Sequence, residues 1–209
     1  MNVTIIGTGN MARGIGSRLV AGGHDVTVLG KETSDAEEVV NDLGANGSVK
    51  AGRSGDEIAD DVVVLAVYYP DARAAVEQYG DALSGKVVVD ITNPVNETVD
   101  DLVTPPDSSA AQELASSAPG ANVVKAFNTT FANTLTQGAV SGQQLDVFIA
   151  GDDEDAKAKV AQLAKDGGLR PVDAGPLKRA RELEAAGLLH MSVQGTLDTG
   201  FASALKVVG

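Results

Sequence analysis

Cysteine is absent from this chain of 209 residues, and histidine occurs only twice. Without cysteine there is no disulfide, no thiolate metal site and no cysteine nucleophile. The two histidines, His24 and His190, are far apart in the sequence, so we expect both to be structural and no metal site to form. A nucleophile-elbow Gly-x-Ser-x-Gly and a Walker lysine are missing as well. The sequence therefore gives no support to thiol, metal-cluster or P-loop chemistry.

Positive charge is scarce. Sixteen Lys and Arg stand against 29 Asp and Glu, which gives a formal net charge of −13. A strongly negative protein repels the phosphate backbone, so nucleic acid is not an expected partner. The acids are spread along the chain in short clusters. This distribution suits either a protein kept in solution at high salt or an ordinary acidic enzyme, and both interpretations stay open.

Long apolar runs are missing too. None approaches the ~20 residues that a membrane-spanning helix needs, and the N-terminus is typical of a strand rather than a signal peptide. We therefore expect a cytoplasmic protein without membrane contact. The length predicts a single domain over 1–209, with a nucleotide-binding core at 1–150 and a C-terminal strand and helices at 151–209 packed on it.

The sequence instead contains a regular alternation of strand and helix patterns. Short apolar, β-branched runs such as 62–67 and 86–92 are typical of strands buried on both faces of a parallel sheet. The alternation predicts an α/β fold with a doubly wound, mostly parallel sheet of Rossmann type and a short C-terminal helical extension. Predicted strands lie at 3–6, 25–29, 49–51, 62–67, 86–92, 122–127, 146–150 and 169–172. Predicted helices lie at 10–19, 34–43 (capped by Ser34), 70–83, 108–117, 152–165 and 177–197.

The motif that carries most information is Gly-x-Gly-x-x-Ala at residues 7–12, between the first strand and the first helix. Gly7 permits the tight turn, Gly9 lets the backbone approach a pyrophosphate, and Ala12 is small enough for helix–strand packing. The free N–H groups and the positive dipole end of the helix then face the phosphates. The motif predicts a dinucleotide site.

Ligands of such sheets bind beyond the carboxyl ends of the strands. We therefore expect the cofactor-binding residues Gly7, Thr8, Gly9, Asn10, Met11, Gly30, Lys31, Val67, Tyr68, Asn93, Pro94, Val95, Phe127 and Asn128 to meet in one crevice. Tyr68 or Tyr69 could stack on a planar ring or wedge the sheet against the next helix. Asn93 and Asn128 could bond a nicotinamide amide or a second ring system, or merely cap the following helices.

The end of the second strand bears on the choice of nucleotide. An acid at this point would bind the ribose hydroxyls of NAD, whereas cations favour the 2′-phosphate of NADP. The chain has no acid at Leu29 or Gly30 and has a cation at Lys31, so NADP(H) is the expected cofactor. Glu32 and Asp35 are unfavourable neighbours for a phosphate. An alternative interpretation, in which Lys31 is only a solvated turn residue and binds no phosphate, stays open.

Two C-terminal features have structural and functional interpretations. The run 178–182 (Lys-Arg-Ala-Arg-Glu) could clamp an acidic ligand, but a solvated helix face with an ion pair between Lys178 and Glu182 is the preferred interpretation. The apolar tail 201–208 could pack on the body or form the contact of a homodimer.

On the motifs above the chain resembles the NADP oxidoreductases that depend on the deazaflavin coenzyme F420. The resemblance rests on residues 6–11, 90–94, 125–130, 150–153 and 169–177, and the cytosolic domain of the STEAP metalloreductases is similar. It implies that residues 8–11 hold the pyrophosphate, that Gly30 and Lys31 hold the 2′-phosphate and that Val67 lines the ribose. Val95 and Ala132 would line the nicotinamide, with the deazaflavin near Phe127 and Asn128.

The resulting hypothesis is an NADP(H)-dependent oxidoreductase that exchanges hydride with a deazaflavin or a flavin. No catalytic side chain is predicted, because two stacked rings carry the chemistry and the protein contributes proximity and a dry pocket. Two alternatives stay open. One is a non-catalytic NADP-binding redox sensor, and the other is a small-substrate dehydrogenase or imine reductase, for which the segment after Gly151 is short.

Overall fold

An eight-stranded sheet runs through the centre of the protein, and the computed structural model describes it together with its helices over residues 1–44 and 48–208. Two very short strands, β7 and β8, form a separate antiparallel hairpin. The strands in chain order are β1 (Asn2–Ile6), β2 (Asp25–Gly30), β3 (Val49–Arg53), β4 (Val62–Leu65), β5 (Val87–Asp90), β6 (Asn122–Lys125), β7 (Ala139–Val140), β8 (Gln143–Gln144), β9 (Asp146–Gly151) and β10 (Arg170–Gly175).

Eight helices accompany the strands in the described ranges, with short 3-10 turns at 80–83 and 177–179. They are α1 (Asn10–Ala21), α2 (Thr33–Leu43), α3 (Tyr69–Tyr79), α4 (Ala110–Ser117), α5 (Ala132–Gln137), α6 (Glu154–Asp166), α7 (Ala180–Ser192) and α8 (Gln194–Leu197). None of the helices within 1–44 and 48–208 combines the length and apolar character that crossing a membrane requires.

The strand order is β10-β9-β6-β5-β4-β1-β2-β3. Pairing is parallel from β3 to β6, while β9 pairs antiparallel with β6 and β10 pairs parallel with β9. The chain moves outward from β1 to β3 and then returns to β4 on the other side of β1. The expected α/β fold with a doubly wound, mostly parallel sheet is confirmed, and the reversal point between β1 and β4 is where such sheets bind ligands.

Two apolar layers cover the sheet, one on each face. In β4 all four residues are buried, and alternate side chains enter opposite layers, as the two-residue period of a strand requires. Val62 and Val64 pack with α1, α2 and α6, whereas Val63 and Leu65 pack with α3 and α4. Burial on both faces explains why the central strands are continuous apolar runs rather than alternating ones.

The structure corrects two expectations about elements and adds elements that the sequence does not predict. Helix α2 begins at Thr33 with Glu32 at the N-cap and no side-chain cap, so Ser34 lies inside the helix and does not cap it. The predicted helix at 177–197 is divided into a 3-10 turn, α7 and α8. The segment 132–144, left without prediction, forms α5 and the β7–β8 hairpin. Helix α5 ends at Gly138, whose φ of 73° stops a right-handed helix.

Candidate active site

A cleft of about 650 Å³ lies over the carboxyl ends of the parallel strands. Its lining comes from the glycine-rich turn, from the ends of β2 and β3, from the segments after β4, β5 and β6, and from α3 and α7. Of the predicted cofactor-binding residues, those that line it are Gly7, Thr8, Gly9, Asn10, Met11, Lys31, Val67, Tyr68, Asn93, Val95 and Asn128. The topology therefore brings together residues that are up to 121 positions apart in the chain.

Gly7 makes the turn after β1 possible. Its φ is 124°, and a Cβ at this position would lie 2.3 Å from the carbonyl oxygen of Ala66. The Gly7 N–H donates to the carbonyl of Leu29 at 2.9 Å, which ties the turn to the end of β2. Only glycine adopts this backbone next to β4 without strain.

The start of α1 has the properties of an anion site. A Cβ built on Gly9, the N-cap residue, would meet no atom within 4 Å, so the backbone there faces the open cleft. In the described structure no side chain caps α1, and its first turn contains no acid. The first turns of α2, α3, α4, α6 and α7 each contain at least one acid. The uncapped N–H groups and the dipole therefore fit a pyrophosphate.

Arg13 fixes the shape of this turn. Its guanidinium donates to the carbonyl of Thr8 and, through Nε, to Asp42 of α2 at 2.7 Å. The turn is thus supported by α2 as well as by Gly7, which pre-organises it for a ligand.

The outer end of the cleft is charged. Lys31 Nζ, after β2, lies 3.1 Å from the carboxylate of Asp71 on α3, and Asp35 and Ser54 line the same region. Arg53 at the end of β3 donates to the carbonyl of Lys31 and to the carboxylate of Glu32 at 3.2 and 3.3 Å. Sequence reasoning missed Arg53, because the parallel register that places it opposite Gly30 is set only in the folded sheet.

The inner end of the cleft is mostly apolar. Ile6, Ala66, Ile91, Phe131 and Met191 line it beside the predicted Val67 and Val95. Phe131 and Met191 were missed, because α5 was not predicted and Met191 lies on α7, far from the strand ends in sequence. Such a lining excludes water around a bound ring.

The two adjacent tyrosines have different roles. Tyr68 is 84% exposed and lines the cleft, so its ring is free to stack. Tyr69 is buried, and its hydroxyl donates to the carboxylate of Glu113 on α4. Burial, together with that hydrogen bond and the nearby carboxylate, raises the pKa of Tyr69 well above its usual value. Tyr69 therefore has the structural role, because it joins α3 to α4.

Asn93 and Asn128 face each other across the inner end. Asn93 donates from Nδ2 to the Asn128 carbonyl at 2.8 Å, and Asn128 donates from Nδ2 to Asn93 Oδ1 at 2.9 Å and to the carbonyl of Leu183 at 2.8 Å. Asn128 is 95% buried, and its Oδ1 has no hydrogen-bond partner among the described residues. Asn128 lines the cleft, so this unpartnered amide oxygen is a candidate acceptor for an N–H group of a ligand. Gly187 on α7 makes room, because a Cβ there would lie 2.5 Å from Asn93 Oδ1.

Four predicted residues do not line the cleft: Gly30, Pro94, Phe127 and Ala132. Phe127 is buried in the core, and its φ is 62°. Ala132 lies instead beneath α1, with its carbonyl 3.0 Å from a Cβ built on Gly14. Gly30 leaves room for its neighbours, because a Cβ at this position would lie 2.6 Å from the Glu32 carbonyl oxygen and 3.0 Å from Thr8 Cγ2.

A buried ion network lies behind the inner end. Lys125 donates to Asp90 and Glu184 at 2.8 Å each and also to the carbonyl of Thr92. All three charged side chains are fully buried, and burial raises the pKa of Glu184 despite the attraction of Lys125. The network fixes the backbone just before Asn93 and joins α7 to the sheet.

Neither histidine enters the cleft. His190 is buried, stacks on Phe131 with ring centroids 4.3 Å apart and contacts Thr129 and Ser203, and burial lowers its pKa. His24 lies in the turn before β2, where burial and the N-terminal ammonium lower its pKa. Glu182 pairs with Arg179, three residues earlier and 2.8 Å away, and not with Lys178 as expected.

No group of metal-ligating side chains is present within 1–44 and 48–208.

Comparison with known proteins agrees with this geometry. Residues 2–94 match the model of the family described as NADP oxidoreductase, coenzyme F420-dependent. The F420-dependent NADP reductase of Methanocaldococcus jannaschii is 27% identical over 198 residues, which cover 88% of each chain. A solved structure from Arthrobacter sp. FB24, provisionally described as an F420-dependent NADP-reductase, superposes with a TM-score of 0.87 at 26% identity and covers 99% of both chains.

A second group of relatives is longer. The metalloreductase STEAP3 of Rattus norvegicus is 31% identical over 183 residues, which are 88% of this chain and 36% of that protein. The chain thus spans about a third of the length of the STEAP relatives it matches.

Proposed function

We propose that the chain is a member of the family of NADP oxidoreductases that depend on coenzyme F420, which residues 2–94 match, and that it transfers hydride between NADP(H) and a deazaflavin or flavin. The observation that carries the proposal is the continuous cleft, which joins an uncapped helix N-terminus to an apolar inner end. The first feature suits a pyrophosphate. The second suits two stacked rings that need no water between them.

In this proposal the protein binds, orients and excludes water, and the nicotinamide supplies the hydride and its two electrons. Gly9, Asn10 and Met11 hold the pyrophosphate through backbone N–H groups. Val67 and Val95 line the nicotinamide end. The free Oδ1 of Asn128 accepts an N–H group of a bound ring, and the bonds of its amide to Asn93 and Leu183 hold it in place. Positioning of this kind contributes much of the barrier lowering in a two-substrate reaction.

The direct test is hydride transfer by the purified full chain. NADPH and NADH are titrated by their fluorescence, and then oxidised F420 or FMN is added to the tighter complex while NADPH absorbance is followed. We expect NADPH to be oxidised on addition of the second ring. Tight NADPH binding with no oxidation by either compound would favour the redox sensor, and activity on hydroxyacids or imines would favour the small-substrate alternative.

The two tyrosines provide a matched pair of variants. Tyr68→Leu should raise the KM for the second ring several-fold, because an exposed aromatic face is lost from the rim of the cleft. Tyr69→Phe should leave that KM within about twofold, since among the described residues the hydroxyl hydrogen-bonds only with Glu113. A Tyr68→Leu variant with unchanged KM would remove Tyr68 from the proposed site.

The same proposal places the enzyme in the cytoplasm and allows a homodimer through the tail 201–208. Part of this tail packs on the body: Ala204 contacts the core, and Lys206 and Val207 bind Asp146. Phe201 and Val208 remain exposed and are available to a second copy. Sedimentation velocity of the wild type and a Phe201→Ser variant tests the dimer, which should dissociate when Phe201 is replaced.

A further inference from the structure

The mouth of the cleft is spanned by an ion pair between two different layers of the fold. Lys31 follows β2, and Asp71 lies in the first turn of α3 on the other wall, with 3.1 Å between Nζ and Oδ1. The side chains are 82% and 43% exposed. An ion pair this exposed contributes little to stability, so an anion of higher charge can take Lys31 away from Asp71.

A second cation lies beside this pair. Arg53 crosses the backbone of residues 31–32, where its guanidinium contacts the Lys31 carbonyl and the Glu32 carboxylate. Its neighbour Ser54 lines the cleft. Arg53 therefore reaches the region of Lys31 from the adjacent strand, and its side chain is 60% exposed and free to turn toward a ligand.

The side chains at this end carry a net charge of −1 before any ligand binds, because two cations face three acids. Lys31 and Arg53 are opposed by Glu32, Asp35 and Asp71, all within the loop, the first turn of α2 or the facing helix. A 2′-phosphate adds up to two negative charges here. The phosphate would attract Lys31 and Arg53, and it would be repelled by the Asp71 carboxylate that Lys31 leaves. NADH lacks this phosphate and leaves both ion pairs intact.

We propose that Asp71 and Arg53 set the preference between NADPH and NADH, with Asp71 competing against the 2′-phosphate for Lys31 and Arg53 serving as the second cation for that phosphate. The inference rests on the proposed function, because it assumes a dinucleotide in this cleft. It concerns residues outside the glycine-rich turn and outside the end of β2, which the sequence motif alone does not identify.

The test measures the Kd of NADPH and NADH for the full chain and its Asp71→Asn and Arg53→Gln variants, at low and high NaCl. Removing the charge of Asp71 should tighten NADPH about three- to tenfold and leave NADH within about twofold, as expected for charges a few ångströms apart in water. Arg53→Gln should weaken NADPH by a similar factor. Both effects should shrink in high salt, because exposed charges are screened.

Matched controls lie on the same elements. Glu77→Gln removes a negative charge from the exposed face of α3 away from the cleft, and Lys50→Gln removes a positive charge from the start of β3. Both should leave the two Kd values within about twofold. The fragments 2′,5′-ADP and 5′-AMP, titrated in parallel, isolate the contribution of the 2′-phosphate itself.

The outcomes separate the inference from the proposed function. Equal changes for NADPH and NADH, or weaker NADPH binding by Asp71→Asn, would overturn the inference and leave the enzyme proposal standing. If Asp71 only stabilises the first turn of α3, Asp71→Asn should lower the Tm and leave the ratio of the NADPH and NADH Kd values unchanged. That ratio therefore distinguishes a role in helix stability from a role in nucleotide preference. Failure of the wild type to bind either nucleotide would overturn the proposed function itself.

Discussion

At the scale of single residues, glycine is needed at positions 7 and 9 for different reasons. Gly7 has a φ that other residues rarely adopt, and a Cβ there would strike the Ala66 carbonyl. Gly9 has a φ of −78° and open space beside it, so the fold alone does not require glycine. The first glycine serves the turn, and the second leaves room for a ligand.

Two alanine variants test this division. Gly7→Ala should lower the free energy of unfolding by about 1–3 kcal/mol or more, because strain and a backbone clash act together. Gly9→Ala should leave that free energy almost unchanged and weaken NADPH about tenfold or more, which corresponds to roughly 1.4 kcal/mol of binding. Denaturant unfolding and NADPH titration measure the two quantities. A Gly9→Ala protein with wild-type affinity would show that no pyrophosphate approaches this position.

At the scale of elements, one buried lysine connects two strands and a helix. Lys125 of β6 binds Asp90 of β5 and Glu184 of α7, and Glu184 also accepts from the N–H of Ala110 at the start of α4, at 3.1 Å. Because water cannot reach these groups, the loss of the cation leaves two carboxylates uncompensated.

Lys125→Met should therefore lower the free energy of unfolding by about 3–5 kcal/mol, as expected when one partner of a buried ion pair is removed. Glu184→Gln should cost less, because the remaining Lys125–Asp90 pair is balanced and the amide keeps the shape. Urea unfolding at neutral pH gives both values. A larger loss for Glu184→Gln than for Lys125→Met would contradict this account of the network.

The C-terminal segment is attached to the sheet through Asp146, at the start of β9. Burial by itself would raise the pKa of Asp146, but hydrogen bonds from Arg170, from the Val207 N–H and from Lys206 outweigh it and lower this pKa to about 2. The folded-state pKa is thus below the unfolded value. The stabilisation is complete above about pH 4 and is lost as the pH falls through the folded value.

We expect wild type to lose about 1–2 kcal/mol of stability through Asp146 between pH 4 and pH 2, according to the linkage between pKa and folding. Asp146→Asn should lack this part of the acid dependence, while it is less stable than wild type at neutral pH. Urea unfolding at several pH values in this window measures the difference. Parallel pH curves for the two proteins would mean that Asp146 does not hold the tail.

At the scale of the whole molecule, the net charge of −13 opposes folding through self-repulsion. Raising NaCl from 0.1 to 1 M shortens the Debye length from about 10 to about 3 Å. If screening adds about 1 kcal/mol, the Tm should rise by about 2–4 °C for a chain of this size. Calorimetry without nucleotide measures it, with sucrose as an uncharged control. A falling Tm would show that favourable ion pairs outweigh repulsion.

The sequence by itself determined the strands of the parallel sheet and most of the helices beside it. Apolar runs such as 62–65 are buried on both faces, so their composition alone indicates a central parallel strand, and the glycine-rich turn follows from two residues with backbone requirements. The resemblance to the coenzyme F420-dependent NADP oxidoreductases could be recognised for the same reason, since these motifs are contiguous in the chain.

Only the tertiary structure decided which side chains share the cleft. Asp71 and Met191 line it, and Arg53 lies beside Lys31 at its edge, through strand register and helix packing, which depend on residues far away in the chain. Phe127 is aromatic and could stack on a ring. Its backbone, however, is left-handed, and its side chain is buried in the core. Local sequence patterns encode periodicity and turns, whereas the direction of a side chain at a strand end depends on packing between elements.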